Sequence, residues 1–189
     1  MKSNKAILFS APSGCGKTTI IQQLLQQFDC FEFSISATTR KPRGQEVNGV
    51  DYYFLSLEDF ERKVNEGLFV EWEEVYDGLR YGTLRSEIDR IWSNGHTIIF
   101  DVDVRGGMNL KRYFESDALS VFIMPPSLKV LEERLRGRGT DTEASIQKRL
   151  QRSALELKEA EKFDKIVVND VLTRAVDEAA SAIRSYLDL

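Results

Sequence analysis

Short, wholly apolar runs alternate along this chain with longer stretches in which apolar residues recur every three or four positions. Ala6-Ile7-Leu8-Phe9 reads as a buried strand. Ile20, Ile21, Leu24, Leu25 and Phe28 then share one face of a helix from about Thr18 to Phe28, and Gln22, Gln23, Gln26 and Gln27 occupy the other face. Three more apolar runs predict strands: His96 to Phe100 continuing into Asp101-Val102-Asp103, Ala118 to Met124 stopped by Pro125-Pro126, and Lys165 to Val168. Helical spacing predicts helices over roughly 127–136, from beyond 141 to about Lys162, and from about Thr173 to Leu187. Strands alternating with helices in this order predict an α/β fold, a parallel sheet with helices on both faces.

The rhythm breaks between the first helix and His96. Residues 31–54 are rich in Ser, Thr and Arg, with Pro42, Gly44 and Gly49 as breakers. Alternation over Phe31–Ser36 predicts a short strand, and Leu68–Trp72 a second. Ser56 followed by Asp59 resembles a capping box that opens a helix to about Asn65. Thr83 is placed to cap another helix carrying Leu84, Ile88, Ile91 and Trp92, which Gly95 would end.

A chain of 189 residues is most simply one domain with inserts. Its 26 basic and 30 acidic residues leave a net charge of −4, so no basic field favours nucleic acid. No apolar run approaches a membrane span. The first strand begins after five residues, which leaves no room for a signal peptide. Cys15 and Cys30 flank one helix, about 20 Å apart at helical rise, too far for a disulfide. Free thiols suit a reducing cytoplasm. Oligomeric state stays open between monomer and homodimer.

The densest chemistry lies just after the first strand: Ala11-Pro12-Ser13-Gly14-Cys15-Gly16-Lys17-Thr18. Strand, glycine-bearing turn, lysine, hydroxyl and helix form a phosphate-binding P-loop, whose backbone N–H groups and helix N-terminus converge on an anion. Lys17 supplies charge to the outer phosphates and Thr18 a hydroxyl ligand for Mg²⁺. The general pattern has Gly where this chain has Ala11. Asp101 ends an apolar strand, as an acid near the metal would, or as an acid at a surface turn would. If the strand continues, Asp103 points to the same side. Arg134, Arg136 and Arg138 cluster beside Gly137 and Gly139, with Arg149 on the next helix. They read as an arginine lid or as a solvated basic helix end. Arg40, Arg43, Tyr52 and Tyr81 could form a second phosphate pocket, although packing accounts for a tyrosine just as readily. Glu71 closes an apolar strand, where a carboxylate would accept from the ring N–H and exocyclic amine of guanine.

Seven segments together resemble the guanylate kinase family over nearly the whole chain: residues 10–18, Ser-Ala-Thr-Thr-Arg-Lys-Pro-Arg (36–43), Glu-Val-Asn-Gly-Val-Asp-Tyr-Tyr-Phe (46–54), Phe-Val-Glu-Trp (69–72), Tyr-Gly-Thr (81–83), Asp-Val-Asp-Val-Arg-Gly (101–106) and Gly-Arg-Gly-Thr-Asp-Thr-Glu (137–143). The resemblance implies a P-loop NTPase-type core (about 1–36, 96–132 and 160–189), a GMP-binding insert (37–95) and a helical lid (133–159). It implies ATP and Mg²⁺ on the P-loop, and GMP held by Ser36, Arg40, Arg43, Tyr52 and Tyr81 at its phosphate. Glu71, Thr83 and Asp103 would read the guanine edge. Asp101 would lie near Mg²⁺, Arg134, Arg138 and Arg149 would neutralise the transferring group with Lys17 and Arg40, and Asn169 would contact adenine. Residues 77–80 look one residue longer than the family's usual turn. Two rivals remain on this scaffold: a kinase for another phosphorylated acceptor, and a non-catalytic module of the same shape that binds phosphopeptides.

Overall fold

The computed structural model describes residues 4–76, 78–137 and 142–189. Strand β1 (Ala6–Ser10) is fully buried and feeds helix α1 (Lys17–Gln27). β2 (Phe31–Phe33), β7 (Thr97–Val102), β8 (Ala118–Met124) and β9 (Lys165–Val168) join it in a five-stranded sheet ordered β2-β7-β1-β8-β9. Every pairing in that sheet is parallel. The predicted α/β core is therefore present.

Side-chain alternation divides the sheet's two faces. Ile7, Phe9, Ile99, Val121 and Ile123 pack under Ile20, Ile21 and Leu24 of α1 and under Ala175, Val176, Ala179 and Ile183 of α7 (Leu172–Leu187). Ala6, Leu8, Ile98 and Phe100 face the opposite way, onto Ile88 and Ile91 of α3 (Arg85–Ser93) and Leu110 and Phe114 of α4 (Val104–Phe114). Burying each such Leu, Ile or Phe contributes roughly 1.5–3 kcal/mol, which accounts for the uninterrupted apolar runs of these strands.

A second sheet, ordered β4-β3-β6-β5, has its own small core of Ala37, Phe60, Phe69 and Leu84. Its strands are β3 (Ala37–Thr38), β4 (Tyr53–Phe54), β5 (Phe69–Tyr76) and β6 (Leu79–Leu84), with α2 (Leu57–Asn65) packed on them. One half of the expected capping box forms at α2: Ser56 Oγ accepts from the Asp59 N–H, while the Asp59 carboxylate accepts from the Ser56 hydroxyl rather than from its backbone N–H.

Several sequence expectations are corrected. The strand beginning at Phe69 runs on to Tyr76 and turns into β6, so Thr83 is a buried strand residue rather than a helix cap. Its hydroxyl donates to Glu71 across the hairpin, and α3 starts at Arg85 with no side-chain cap. The strand expected to 36 stops at Phe33. The strand expected through Asp103 ends at Val102, and Asp103 caps α4 by accepting from the Gly106 N–H at 2.8 Å. Helix α4 itself was not foreseen, because paired glycines argue against a helix interior. Packing explains them: a Cβ on Gly107 would lie 2.3 Å from Ser10 Oγ, so only glycine lets α4 sit this close to the end of β1. The long charged helix is α6 (Glu143–Glu156) followed by a 3₁₀ segment, Leu157–Lys162. α5 (Leu128–Gly137) precedes it. Helix α3, which the sequence reading assigns to the insert, packs against the main sheet.

Candidate active site

The chain leaves β1 at the centre of the sheet and reaches β2 on one side, while β7 and β8 flank β1 on opposite sides. The carboxyl ends of β1 and β7 therefore border a crevice, where open parallel sheets bind ligands. A cleft of about 480 Å³ lies there, bounded by the P-loop, the ends of β7 and β5, and α6.

The P-loop is built from below. Gly16 has φ +84°, and a Cβ at that position would meet Asn169 Nδ2 at 2.4 Å. That amide is buried and donates to the Cys15 carbonyl at 2.7 Å, while the Asn169 N–H donates to Met124 O at 2.8 Å. Asn169 thus ties the loop to the ends of β8 and β9, with one amide donor on the loop. Among the described residues, the non-glycine positions with left-handed φ are Glu115 and Asp188. Ala11 is not one of them, so its methyl group is tolerated where the general pattern has glycine.

Lys17 Nζ lies 2.5 Å from Asp101 Oδ1 and donates to Val102 O at 2.6 Å. Thr18 Oγ1 donates to Asp101 Oδ2 at 2.9 Å. Ammonium, hydroxyl and carboxylate thus converge at the mouth of the phosphate cradle. Across the cleft, Arg149 Nη1 donates to Ser13 Oγ at 2.9 Å, which joins α6 to the P-loop. Arg152 bridges Asp103 at 3.1 Å and Glu156 at 2.7 Å.

The far wall is acidic. Glu71 Oε1 accepts from Thr83 Oγ1 at 2.9 Å. A Cβ on Gly106 would lie 3.3 Å from both Glu71 Oε2 and Asp103 Oδ1, so the glycine leaves room where two carboxylates approach. Burial pushes the Glu71 carboxyl up to about 7, helped by the charges of Asp103 and Glu73 and opposed by the Thr83 hydroxyl. Tyr52 and Tyr81 stand beside this wall with their rings 6.1 Å apart, and Ser36 completes it.

The fold therefore brings the P-loop, Ser36, Tyr52, Glu71, Tyr81, Asp101, Asp103 and Arg149 onto one cleft, with Thr83 directly behind Glu71. It does not bring every expected residue there. Arg134 donates to the Asn169 carbonyl at 2.9 Å, behind the P-loop. The Arg43 side chain is exposed, and Arg40 lies beyond Tyr52, its guanidinium 5.0 Å from that ring. Arg138 lies outside the described residues. Sequence reasoning missed Glu73, Arg152 and Glu156, which also line the cleft. Glu73 follows Glu71 at strand spacing, and Arg149, Arg152 and Glu156 follow one another at helical spacing, so periodicity applied from the known positions would have found them.

A parallel sheet that delivers a phosphate cradle, a cationic lysine and a strand-end acid to one cleft is the architecture of a P-loop kinase. A family profile for guanylate kinase matches residues 3–186. The guanylate kinase of Bacteroides fragilis is 47% identical over 185 residues, covering 98% of this chain and 91% of that protein. The guanylate kinase of Chlorobium chlorochromatii is 46% identical, covering 98% and 97%. The crystal structure of guanylate kinase from Anaplasma phagocytophilum superposes with a TM-score of 0.77 at 28% identity, covering 98% of this chain and 87% of that one. The chain belongs to the guanylate kinase family, and it is an enzyme of that family.

Proposed function

We propose that the chain transfers the γ-phosphoryl group of ATP to GMP, giving ADP and GDP, and so returns GMP to the guanine nucleotide pool. The observation that carries this reading is the acidic wall opposite the P-loop. Glu71, oriented by Thr83, and Asp103, oriented by Gly106, aim two acceptors at one space. Guanine presents an N–H and an amine to such a pair, whereas adenine presents a bare ring nitrogen. The second sheet is then the GMP-binding insert, and α6 belongs to the lid.

The residues divide the work. Backbone N–H groups of the P-loop and the N-terminus of α1 hold the β- and γ-phosphates. Lys17 must release Asp101 and Val102 to reach them, and the phosphate charge competes for its ammonium. Ser36, Tyr52, Tyr81 and Arg40 hold the GMP phosphate. Arg149 lies already at the P-loop and supplies charge to the transferring group. The attacking phosphate oxygen is already anionic, so no strong general base is needed; catalysis is positioning, charge neutralisation and exclusion of water. Thr18 and Asp101 supply two hard oxygens at the cradle, which fits Mg²⁺, an ion that takes few protein ligands and fills its sphere with phosphate and water. Thr18 would bind it directly and Asp101 through water, and the ion would neutralise charge on the outer phosphates.

The same reading places the enzyme in a reducing cytoplasm. Cys30 is an exposed thiol, and no helix among the described residues is long and apolar enough to cross a membrane.

ADP release measured across GMP, AMP, UMP and dTMP tests the assignment. We expect kcat/KM for GMP to exceed that for AMP by at least about 10³-fold, because adenine presents no ring N–H to the Glu71 and Asp103 carboxylates. Comparable turnover of AMP would refute the guanine reading. No observation favours the phosphopeptide-binding module, and turnover of GMP excludes it.

The tie beneath the P-loop is testable separately. Asn169→Ala removes the amide donor to the Cys15 carbonyl, a hydrogen bond worth roughly 1 kcal/mol. We expect a lower midpoint in urea and a KM for ATP that rises several-fold more than that for GMP. Equal changes in the two KM values would show that the tie supports the fold rather than the loop.

A further inference from the structure

We propose that Glu46 is a positioning residue for the acceptor phosphate: it grips the Nη1/Nη2 end of the Arg40 guanidinium and so turns the adjoining Nε flank toward the phosphate of GMP. This deepens the GMP reading above and rests on it.

A guanidinium carries five N–H donors in a fixed plane. Arg40 Nη1 donates to Glu46 Oε2 at 2.7 Å and to Lys41 O at 2.9 Å, and Nη2 donates to Glu46 Oε1 at 2.9 Å. Those three bonds use the end of the guanidinium. The remaining two donors, Nε–H and the second N–H of Nη2, lie side by side along its flank and form a second fork. On that flank, Nε–H is not spent on the protein. Only 9% of the Arg40 side chain is exposed, yet Nε has no hydrogen-bond partner. Leaving a buried donor on a cation unpaired is costly, so in native structures such a group is met by water, an ion or a ligand, or has a catalytic role.

The surroundings match a phosphate. Arg40 stacks on Tyr52 at 5.0 Å and on Phe54 at 5.7 Å from the ring centroids, which fixes the plane of the guanidinium. Its pKa is raised above the ordinary value, first by the hydrogen bond to Glu46, against the opposing effect of burial, and then by the Tyr81 hydroxyl. Both tyrosines line the cleft. A two-donor fork beside two hydroxyls is the geometry that takes phosphate oxygens bidentately.

Glu46 is itself held. Its Oε2 also accepts from the Arg43 backbone N–H at 2.7 Å, and the Glu46 N–H donates back to Arg43 O at 3.1 Å. The 43–46 turn thus closes on the carboxylate. This gives the Arg43 segment a role that does not depend on its exposed side chain.

The plainer alternative is that Glu46 only balances a buried charge. Guanosine and GMP separate the two, because they share a base and differ in the phosphate. With wild-type protein, binding of GMP tests the function itself; its absence would overturn that reading, not this one. Given wild-type binding, Glu46→Gln and Glu46→Ala are expected to weaken GMP roughly 10- to 100-fold while guanosine affinity and the KM for ATP stay unchanged. Adding GMP, but not guanosine, to the wild type should also shift the Arg40 Nε–H resonance. Equal losses for GMP and guanosine, no loss, or tighter GMP binding would each overturn the proposal. So would a silent Nε–H, or a Glu46→Gln protein that does not fold.

Discussion

Replacing Lys17 with alanine should leave the protein folded and lower kcat by roughly 10²- to 10³-fold, the scale seen when one preorganised donor to a developing charge is removed. The side chain packs against no core cluster. Its ammonium instead bridges the Asp101 carboxylate and the Val102 carbonyl at the mouth of the cleft. Truncation frees Asp101 from one partner but leaves the Thr18 hydroxyl on it, so the local cost to stability is small. Rates from ADP release and the melting midpoint from circular dichroism check both halves. Full activity would remove Lys17 from the reaction, and unfolding would make it structural.

Glu71→Gln should have opposite effects on function and stability. The folded protein holds Glu71 near 7, above an ordinary carboxyl value of 4.5, chiefly because burial disfavours the charge. A raised pKa means that the folded state binds the proton more tightly than the unfolded chain does. Its stabilising contribution is full below about 4.5 and is lost as pH rises through about 7. At pH 8 the buried carboxylate is therefore a burden of roughly 3 kcal/mol. Glutamine keeps an oxygen to accept from Thr83 and carries no charge. The variant should melt several degrees higher at pH 8 and show little difference at pH 4.5.

Function runs the other way. Only the ionised carboxylate accepts both guanine donors, so wild-type kcat/KM for GMP should climb as pH rises through about 7. The phosphate of GMP titrates near 6 and adds its own slope, so the difference between wild type and variant isolates Glu71. Glutamine should remove that difference and lower kcat/KM for GMP by roughly 10²-fold, with the KM for ATP unchanged. An equal loss for ATP would detach Glu71 from the base. A variant no more stable at pH 8 would refute the cost of burial.

The two residues show how differently the site was legible in the sequence. Lys17 could be read locally, because the P-loop is a continuous stretch whose glycines, lysine and hydroxyl act where they stand. The strands of the main sheet could also be read, since burial on both faces demands unbroken apolar runs. The second sheet was harder. β3 and β4 are two residues each and carry no periodic signal. The β5–β6 hairpin was half seen, and a threonine with the profile of a helix cap turned out to orient Glu71 from within a strand.

Local patterning thus determined the parallel core, the phosphate cradle and the presence of acids and arginines suited to two nucleotides. Tertiary structure decided which of them meet. Arg134 passes behind the P-loop, Asn169 supports it from beneath, and Arg152 reaches Asp103 from another helix. A fragment of sequence specifies its own hydrogen bonds and its own apolar face. Whether two carboxylates share one wall of the cleft depends on the close approach of α4 to the sheet end, which the glycines at 106 and 107 permit and only the packed chain reveals.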